Sequence, residues 1–260
     1  MQQRYLDREL YFHEQGFTTK KYVIPYIQEI FPINEHTKVL EIGCGEGGNL
    51  KPFLDMHCQC VGIDISEAQI NHAKEFYHSH PENHKIEFIC SDIYKVKRPD
   101  LKFDIIMLRD VIEHIPNQDV FMKIVKEFLN PEGVIFFGFP PWQNPFGGHQ
   151  QVCQSKISKI PYIHLLPTSL YRKLLIKNNE EPSTLLEIKA TGISIERFHR
   201  ILKKEKYIIL KRDYYFINPN YEIKFDLTPR KVIPLFSVLP YIRNFYTTAY
   251  YCVVKPSSLE

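Results

Sequence analysis

The sequence predicts a doubly wound α/β protein built on one central, mostly parallel sheet. Two features of the chain carry this prediction. From Lys38 to Phe139, short apolar runs alternate with amphipathic stretches, which is typical of strands and helices that alternate in a parallel sheet. After Phe139 the alternation stops, and it resumes at Gly192. The interruption indicates an insertion between two parts of the same sheet.

The elements of the first part follow from local patterns. The run "FDIIMLRD" is apolar almost throughout, as expected of a strand buried on both faces. Ser66 and Gln69 form a capping box that opens a helix, and Pro81 ends it. In chain order the predicted strands are "KVLEIG", "CQCVGID", "KIEFICSD", "FDIIMLRD" and "VIFFGF", and the predicted helices are "NLKPFLDM", "EAQINHAKEFYHS" and "QDVFMKIVKEFL".

The second part completes the sheet. The run "ISIERFHRILKKEKY" predicts a helix, and "YIILKRDYYFI" and "TTAYYCVVK" predict two strands without a crossover helix between them. We therefore predict a Rossmann-like, doubly wound, seven-stranded sheet with its last strand antiparallel and an inserted cap after the fifth strand. The predicted divisions are an N-terminal helical segment (1–35), a cofactor-binding core (36–139), a substrate cap (140–190) and a C-terminal helix and strands (191–260).

Composition narrows the possible partners and locations. The 33 Lys and Arg against 30 Asp and Glu give a net charge of +3, too small to indicate a nucleic-acid surface. The six cysteines include no C-x-x-C pair, and several fall in predicted buried strands, which suits a reducing compartment. Residues 1–15 contain no apolar signal core, and prolines and polar residues interrupt the late apolar run at 232–254. We expect a cytoplasmic protein without a transmembrane segment.

A glycine-rich turn follows the first predicted strand. Gly43, Gly45 and Gly48 have the spacing G-x-G-x-x-G, which is the fingerprint of dinucleotide binding, but Glu41 stands two residues before the first glycine. An anionic pyrophosphate over a helix N-terminus favours backbone N–H groups and disfavours a carboxylate. A cofactor that carries an ammonium and a sulfonium group tolerates that negative charge.

Two further acids end the next two strands. Asp64 ends the second strand, where a carboxylate can accept hydrogen bonds from both ribose hydroxyls of a nucleotide. Asp92 ends the third strand, where it can accept from an adenine amino group while Ile93 packs on the ring. Acids at three successive strand ends favour an adenosine cofactor over a purely structural role as helix caps.

The chain resembles the class I S-adenosylmethionine-dependent methyltransferases, especially the small-molecule group with "DVIEHI"-like sequences. The matching segments are "VLEIGCGEGG", "VGIDIS", "CSDI", "FDIIMLRDVIEHI" and "LNPEGVIFF", in that order. The resemblance covers residues 36–139 strongly and 192–256 in outline. It implies that S-adenosyl-L-methionine is the cofactor and S-adenosyl-L-homocysteine the product. The residues expected to bind the cofactor are Glu41, Gly43, Cys44, Gly45, Gly47, Asp64, Ile65, Asp92, Ile93 and Arg109.

The stretch "FPPWQNPFGGHQQ" after the fifth strand is a candidate wall of the acceptor pocket. Its "PPW" is similar to the Asn/Asp-Pro-Pro-aromatic motif of DNA and RNA amino-methyltransferases. That motif follows the fourth strand and begins with a polar residue, whereas here Phe139 takes that place, so we reject this interpretation. Trp142 and Phe146 offer flat apolar surface, and His149 is the candidate general base, although a loop-stabilising histidine is the alternative.

The segment "RDVIEH" raises the possibility of a metal. Asp110, Glu113 and His114 could lie on one turn, and oxygen and imidazole ligands suit Mg²⁺, Mn²⁺ or Zn²⁺. The segment is similar to the E-x-x-E-H of metal-dependent ubiquinone-pathway and small-RNA 2′-O-methyltransferases, but an Asp holds the first place. Metal-free relatives share "EH" as a helix brace, so we assign no metal ligands, and the sequence leaves open whether a metal binds near these three residues.

The predicted function is transfer of a methyl group to a small-molecule, lipid-linked or glycan-linked acceptor, at oxygen. Two alternatives remain: a metal-dependent RNA 2′-O-methyltransferase, which the weak net charge disfavours, and a catalytically silent cofactor-binding module. The sequence leaves the acceptor and the oligomeric state open.

Overall fold

The computed structural model describes residues 7–98 and 100–257, so the outer limits of the predicted first and last segments lie outside the described residues. One mixed sheet forms the centre. Its strands are β1 (Lys38–Ile42), β2 (Gln59–Asp64), β3 (Ile86–Cys90), β4 (Phe103–Arg109), β5 (Leu129–Phe139), β6 (Tyr207–Ile217), β7 (Arg230–Lys231) and β8 (Ala249–Pro256).

The order of the strands is β3-β2-β1-β4-β5-β8-β6-β7. The first five strands are parallel, and β8 lies antiparallel between β5 and β6, which agrees with the predicted direction of the last strand. The predicted count of seven strands is wrong by one. The eighth strand is the two-residue β7, which pairs with the edge of β6 and is too short to show any sequence period.

Helices cover the sheet. They are α1 (Arg8–Thr18), α2 (Ile24–Gln28), α3 (Lys51–Asp55), α4 (Glu67–Tyr77), α5 (Gln118–Val125), α6 (Thr168–Lys177), α7 (Ser183–Thr191), α8 (Ile195–Lys204), α9 (Asn220–Phe225), α10 (Pro234–Ser237) and α11 (Arg243–Tyr246). The Ser66 hydroxyl caps α4 by accepting from the Gln69 N–H, as the capping box predicts. No helix in the described part of the chain is long and apolar enough to cross a membrane.

Alternating side chains of the central strands fill two cores, one on each face of the sheet. On β1, Leu40 belongs to the core beneath α5 and α8, and Val39 belongs to the core beneath α1, α2 and α3. On β4, Ile106 and Ile105 divide in the same way. Burial on both faces explains why these strands read as continuous apolar runs. Because the strands are parallel, their carboxyl ends meet at one edge, where ligands of such sheets bind.

The segment that follows β5 forms a small layer with its own apolar cluster. Three short 3₁₀ turns and then α6 and α7 surround Tyr171 and Leu175, which are fully buried. The layer touches the main body next to the end of β4. The Gln118 side chain donates to the Thr191 carbonyl at 2.7 Å, and the Trp142 N–H donates to the Ile193 carbonyl at 2.8 Å. These contacts fix the layer over the segment that follows β4.

Candidate active site

A cleft of about 660 Å³ opens at the carboxyl ends of β1 to β4. Five of its wall residues are predicted cofactor contacts: Gly43, Asp64, Ile65, Asp92 and Ile93. The cleft is lined by Ile42, Gly43, Ile63, Asp64, Ile65, Ser66, Gln69, Ser91, Asp92, Ile93, Tyr94, Asp110, Val111, His114, Ile115 and Pro116. Polar side chains and glycine at the carboxyl ends of three parallel strands therefore line one cavity.

The first glycine of the turn, Gly43, has a left-handed backbone conformation that favours glycine. Gly43 has a φ of 70°, and a Cβ added there would lie 2.6 Å from a methyl group of Val111. Gly43 therefore lets the turn pack directly against the segment after β4, and it lines the cleft. Cys44, Gly45 and Gly47 belong to the same turn but are not among the residues that line the cleft.

Asp64 is held in place by the two loops that flank it. Its Oδ2 accepts from the Gly45 N–H at 2.9 Å, and its Oδ1 accepts from the Ser66 N–H at 2.9 Å. Each carboxylate oxygen retains a lone pair for another donor. The carboxylate thus ties the glycine turn to the start of α4 and still borders the cleft.

The next wall of the cleft combines an acid with apolar groups. The Asp92 side chain accepts from the Tyr94 N–H at 3.1 Å and opens a 3₁₀ turn, and Ile93 on that turn is almost fully buried. Ile65 lies opposite, with 77% of its surface exposed. The Tyr94 hydroxyl donates to the Pro116 carbonyl at 3.1 Å. An apolar slot beside a carboxylate is suited to a planar, weakly basic ring such as adenine.

Glu41 and Arg109, two other predicted cofactor residues, lie beneath the turn in a buried polar network. The Asn49 amide donates to Glu41 Oε1 at 2.6 Å, and Arg109 Nη1 donates to Asn49 Oδ1 at 2.6 Å and to the Thr19 hydroxyl at 3.3 Å. Burial raises the pKa of Glu41 to about 8, so its carboxyl is mostly neutral at pH 7 in the protein without ligand. Glu41 therefore does not present the negative charge to the cleft that the sequence suggests. Neither residue lines the cleft.

His149 is brought against the segment after β4, beside the mouth of the cleft. Its ring lies edge-on to the His114 ring, with 4.9 Å between their centroids. Glu113, His114 and His149 each offer a ligand atom, and these atoms all lie within 4.8 Å of one another. The sequence joins Glu113 and His114 but contains no signal that His149, 35 positions later, completes the group.

Glu113 is the buried member of this group, and its carboxyl has an unusual environment. Neither carboxylate oxygen of Glu113 has a hydrogen-bond partner among the described residues, and burial raises the pKa of that carboxyl well above its usual range. Burial lowers the pKa of His149 to about 4, so the imidazole is neutral near pH 7. A neutral imidazole can accept a proton or bind a cation. Asp110, the third residue of the predicted metal turn, lines the cleft instead.

Trp142 and Phe146, the two aromatic residues of the predicted acceptor wall, lie in different places. Trp142 packs inside the layer that follows β5, with its ring 4.7 Å from that of His164. Phe146 lines a second cleft of about 610 Å³, which lies between this layer and α9. Phe146 is thus placed on a cavity wall, whereas Trp142 belongs to the apolar cluster of the layer.

Sequence reasoning missed two parts of the site. Asn49 follows the last glycine by one residue, and its amide position could have been noted as a partner for Glu41. Gln15 and Thr19 of the N-terminal helical segment accept hydrogen bonds from Arg109, which lies 94 and 90 positions later in the chain. No local sequence pattern predicts these contacts.

The fold and the cleft together define a class of protein. A glycine turn after β1, carboxylates at the ends of β2 and β3, and an antiparallel strand between β5 and β6 are the arrangement of a class I methyltransferase. The chain matches the family model described as "Methyltransferase domain" over residues 12–150, and it belongs to that family. The predicted resemblance to class I S-adenosylmethionine-dependent methyltransferases is confirmed for family and fold.

Curated relatives match less than half of the chain. The ubiquinone biosynthesis O-methyltransferase of Coxiella burnetii is 35% identical over 100 residues, covering 38% of this chain and 42% of that protein. The sterol 24-C-methyltransferase erg6 of Aspergillus fumigatus is 30% identical over 118 residues, covering 45% of this chain and 31% of that protein. The chain therefore spans less than half the length of these relatives.

Solved structures resemble nearly the whole chain. The plantazolicin methyltransferase BpumL, in complex with a pentazolic desmethylPZN analog and SAH, has a TM-score of 0.59 and 17% identity. The alignment covers 98% of this chain and 89% of that one. At this identity the likeness shows a shared fold.

Proposed function

We propose that the protein transfers a methyl group from S-adenosyl-L-methionine to an oxygen atom of a small-molecule, lipid-linked or glycan-linked acceptor. The observation that carries this proposal is the cleft at the carboxyl ends of β1 to β3, with Asp64, Asp92 and Ile93 on its walls. The six free cysteines are consistent with the reducing cytoplasm, where we place the reaction.

The cofactor is assigned to this cleft residue by residue. Asp64 accepts hydrogen bonds from the ribose hydroxyls with the lone pairs that the Gly45 and Ser66 N–H groups leave free. Asp92 and Ile93 hold the adenine ring at the end of β3. Gly43 lets the methionine part approach the backbone of the turn. Glu41 and Arg109 support that turn from below through Asn49.

The acceptor is assigned to the side of the cleft where His114 and His149 meet. Methyl transfer from a sulfonium depends mainly on alignment of the attacking atom, which can supply roughly 7–11 kcal/mol. A hydroxyl acceptor must also lose a proton, and the neutral imidazole of His149 beside His114 is the base that we propose for this step. The layer at 140–190 then serves as a cap over the reacting groups.

Calorimetry tests the cofactor assignment. S-adenosylhomocysteine should bind, and NADH should not, because two carboxylates border the cleft and its lining residues include no Lys or Arg to bind a pyrophosphate. Formation of S-adenosylhomocysteine on incubation with S-adenosylmethionine and acceptor would distinguish an enzyme from a silent binding module. Tighter binding of NADH than of S-adenosylhomocysteine would contradict the assignment.

A metal-assisted transfer is the second candidate. It is favoured by the buried Glu113 carboxyl, which lacks a hydrogen-bond partner among the described residues and lies beside two imidazoles. One carboxylate and two neutral imidazoles suit Zn²⁺, Mn²⁺ or a similar divalent ion. A bound cation there would polarise the acceptor hydroxyl and lower its pKa. Glu113, His114 and His149 would hold it.

Thermal unfolding with added metal tests this second candidate without any turnover. If the group binds a cation, Mn²⁺ or Zn²⁺ should raise the melting temperature of the wild-type protein, since a ligand that binds only the folded state stabilises it. His114→Ala should abolish that rise. His84→Ala removes an exposed histidine far from the cleft and should leave it intact. A rise of equal size in all three proteins, or in none, would contradict a metal at this group.

A further inference from the structure

An apolar ridge formed by residues 233–246 covers part of the protein surface. Its most exposed apolar side chains are Leu235, which is 68% exposed, Val238 (67%) and Tyr241 (65%). Ile233, Leu239, Ile242, Phe245 and Tyr246 of the same segment are also exposed. Isolated exposed apolar residues are ordinary, but eight within one short segment indicate a surface that meets a partner.

The ridge is held firmly from beneath. The buried Glu196 of α8 accepts from the Tyr241 N–H at 2.9 Å, from Arg243 Nε at 2.9 Å and from the Asn244 amide at 2.5 Å. Asn244 also accepts from the Ile195 N–H at 2.9 Å and thereby caps α8. The polar groups of the segment thus point inward to a common anchor, and its apolar groups point outward.

The segment that contains the ridge and most of the cap sequence are basic, whereas the rest of the chain is acidic. Residues 133–179 and 227–259 contain nine Lys and Arg and no Asp or Glu. The rest of the chain contains 24 Lys and Arg and 30 Asp and Glu, a net charge of −6. Seven of the nine cations are exposed: Lys156, Lys159, Arg172, Lys173, Lys177, Arg230 and Lys231.

The ridge continues into the cap. The Phe245 ring lies next to the exposed Tyr162 ring of the cap, with 6.2 Å between centroids. Ile160, Leu166 and Leu170 extend the exposed apolar surface along the cap. The second cleft, which Phe146 and Lys159 line, lies between the cap and α9. The ridge therefore touches the cap, which carries exposed apolar residues and the exposed cations at 156, 159, 172, 173 and 177.

We propose that the ridge and the adjoining cap residues 160–170 bind the surface of an anionic phospholipid bilayer. Apolar side chains enter the boundary between headgroups and acyl chains, and the exposed Lys and Arg of the two segments meet the anionic headgroups. The helices α10 and α11 have four residues each, so the ridge lies on the bilayer and does not cross it. Residues 160–170 and 233–246, which form the proposed contact, contain no Asp or Glu that would repel an anionic surface.

Vesicle co-sedimentation tests the proposal. The wild-type protein should bind vesicles of phosphatidylcholine and phosphatidylglycerol and should bind pure phosphatidylcholine much more weakly, with a loss of binding at high salt. The double variant Leu235→Glu with Val238→Glu should lower the partition coefficient by roughly tenfold or more. The matched control, Val120→Glu with Ile208→Glu, changes two other exposed apolar residues and should bind as the wild type does.

The outcomes separate this proposal from the proposed enzymatic function. Unchanged melting temperature in the Leu235 and Val238 variant shows that loss of vesicle binding is not a loss of fold. Absence of binding by the wild type, or equal binding by both double variants, overturns the proposal. A wild-type dimer that the ridge variant converts to a monomer, without vesicle binding, identifies a second copy as the partner and also overturns it. Vesicle binding is measured without cofactor, so it stands even if S-adenosylhomocysteine does not bind.

Discussion

Asp64→Ala should weaken the binding of S-adenosylhomocysteine by roughly 10²-fold or more. Hydrogen bonds to a charged group contribute roughly 1.5–3 kcal/mol each, and the proposal gives this carboxylate two ribose hydroxyls. The variant also releases the Gly45 and Ser66 N–H groups, which the carboxylate holds in the free protein. Titration calorimetry measures the affinity directly.

Two further variants make this expectation specific. Asp64→Asn retains a side-chain oxygen but loses the charge, so its affinity should lie between those of the wild type and Asp64→Ala. Asp100→Ala removes an exposed carboxylate that pairs with Arg98 far from the cleft, and it should leave the affinity unchanged. Wild-type affinity in Asp64→Ala would show that this carboxylate does not hold the ribose.

The sequence predicts those parts of the fold and site that depend on local pattern. Apolar runs identify the five parallel strands, and parallel strands bring their carboxyl ends together, so Gly43, Asp64 and Asp92 fall in one cleft. The β7 strand could not be predicted, because two edge residues have no periodicity and are defined only by their partner in β6.

Glu41 and Arg109 lie outside the cleft wall for a different physical reason. Arg109 and Glu41 end strands that point toward the cleft, but their side chains turn to partners whose positions tertiary packing decides. Asn49 lies between them, and Thr19 arrives from a helix 90 positions away. The sequence therefore predicts which residues stand at a strand end. Packing against neighbouring elements determines whether their side chains face the ligand or the core.

His149→Asn should lower kcat for an oxygen acceptor by roughly 10²-fold or more, with little change in the affinity for S-adenosylhomocysteine. A general base contributes roughly 10²–10⁴-fold when the acceptor must lose a proton. Asparagine is the appropriate replacement because His149 has a φ of 56°, a left-handed conformation that Asn tolerates better than Ala. Initial rates of S-adenosylhomocysteine formation, with calorimetry for the cofactor, measure both quantities.

His114→Asn decides how His149 acts. If His149 is the base, His114 serves as its edge-on neighbour, and the His114 variant should retain most of the activity. If both rings and Glu113 hold a cation, the two variants should lose activity equally, and both should lose the stabilisation by added Mn²⁺ or Zn²⁺. Full activity in His149→Asn would exclude both roles, because either one requires an imidazole at that position, and catalysis would then rest on alignment of the acceptor with the sulfonium alone.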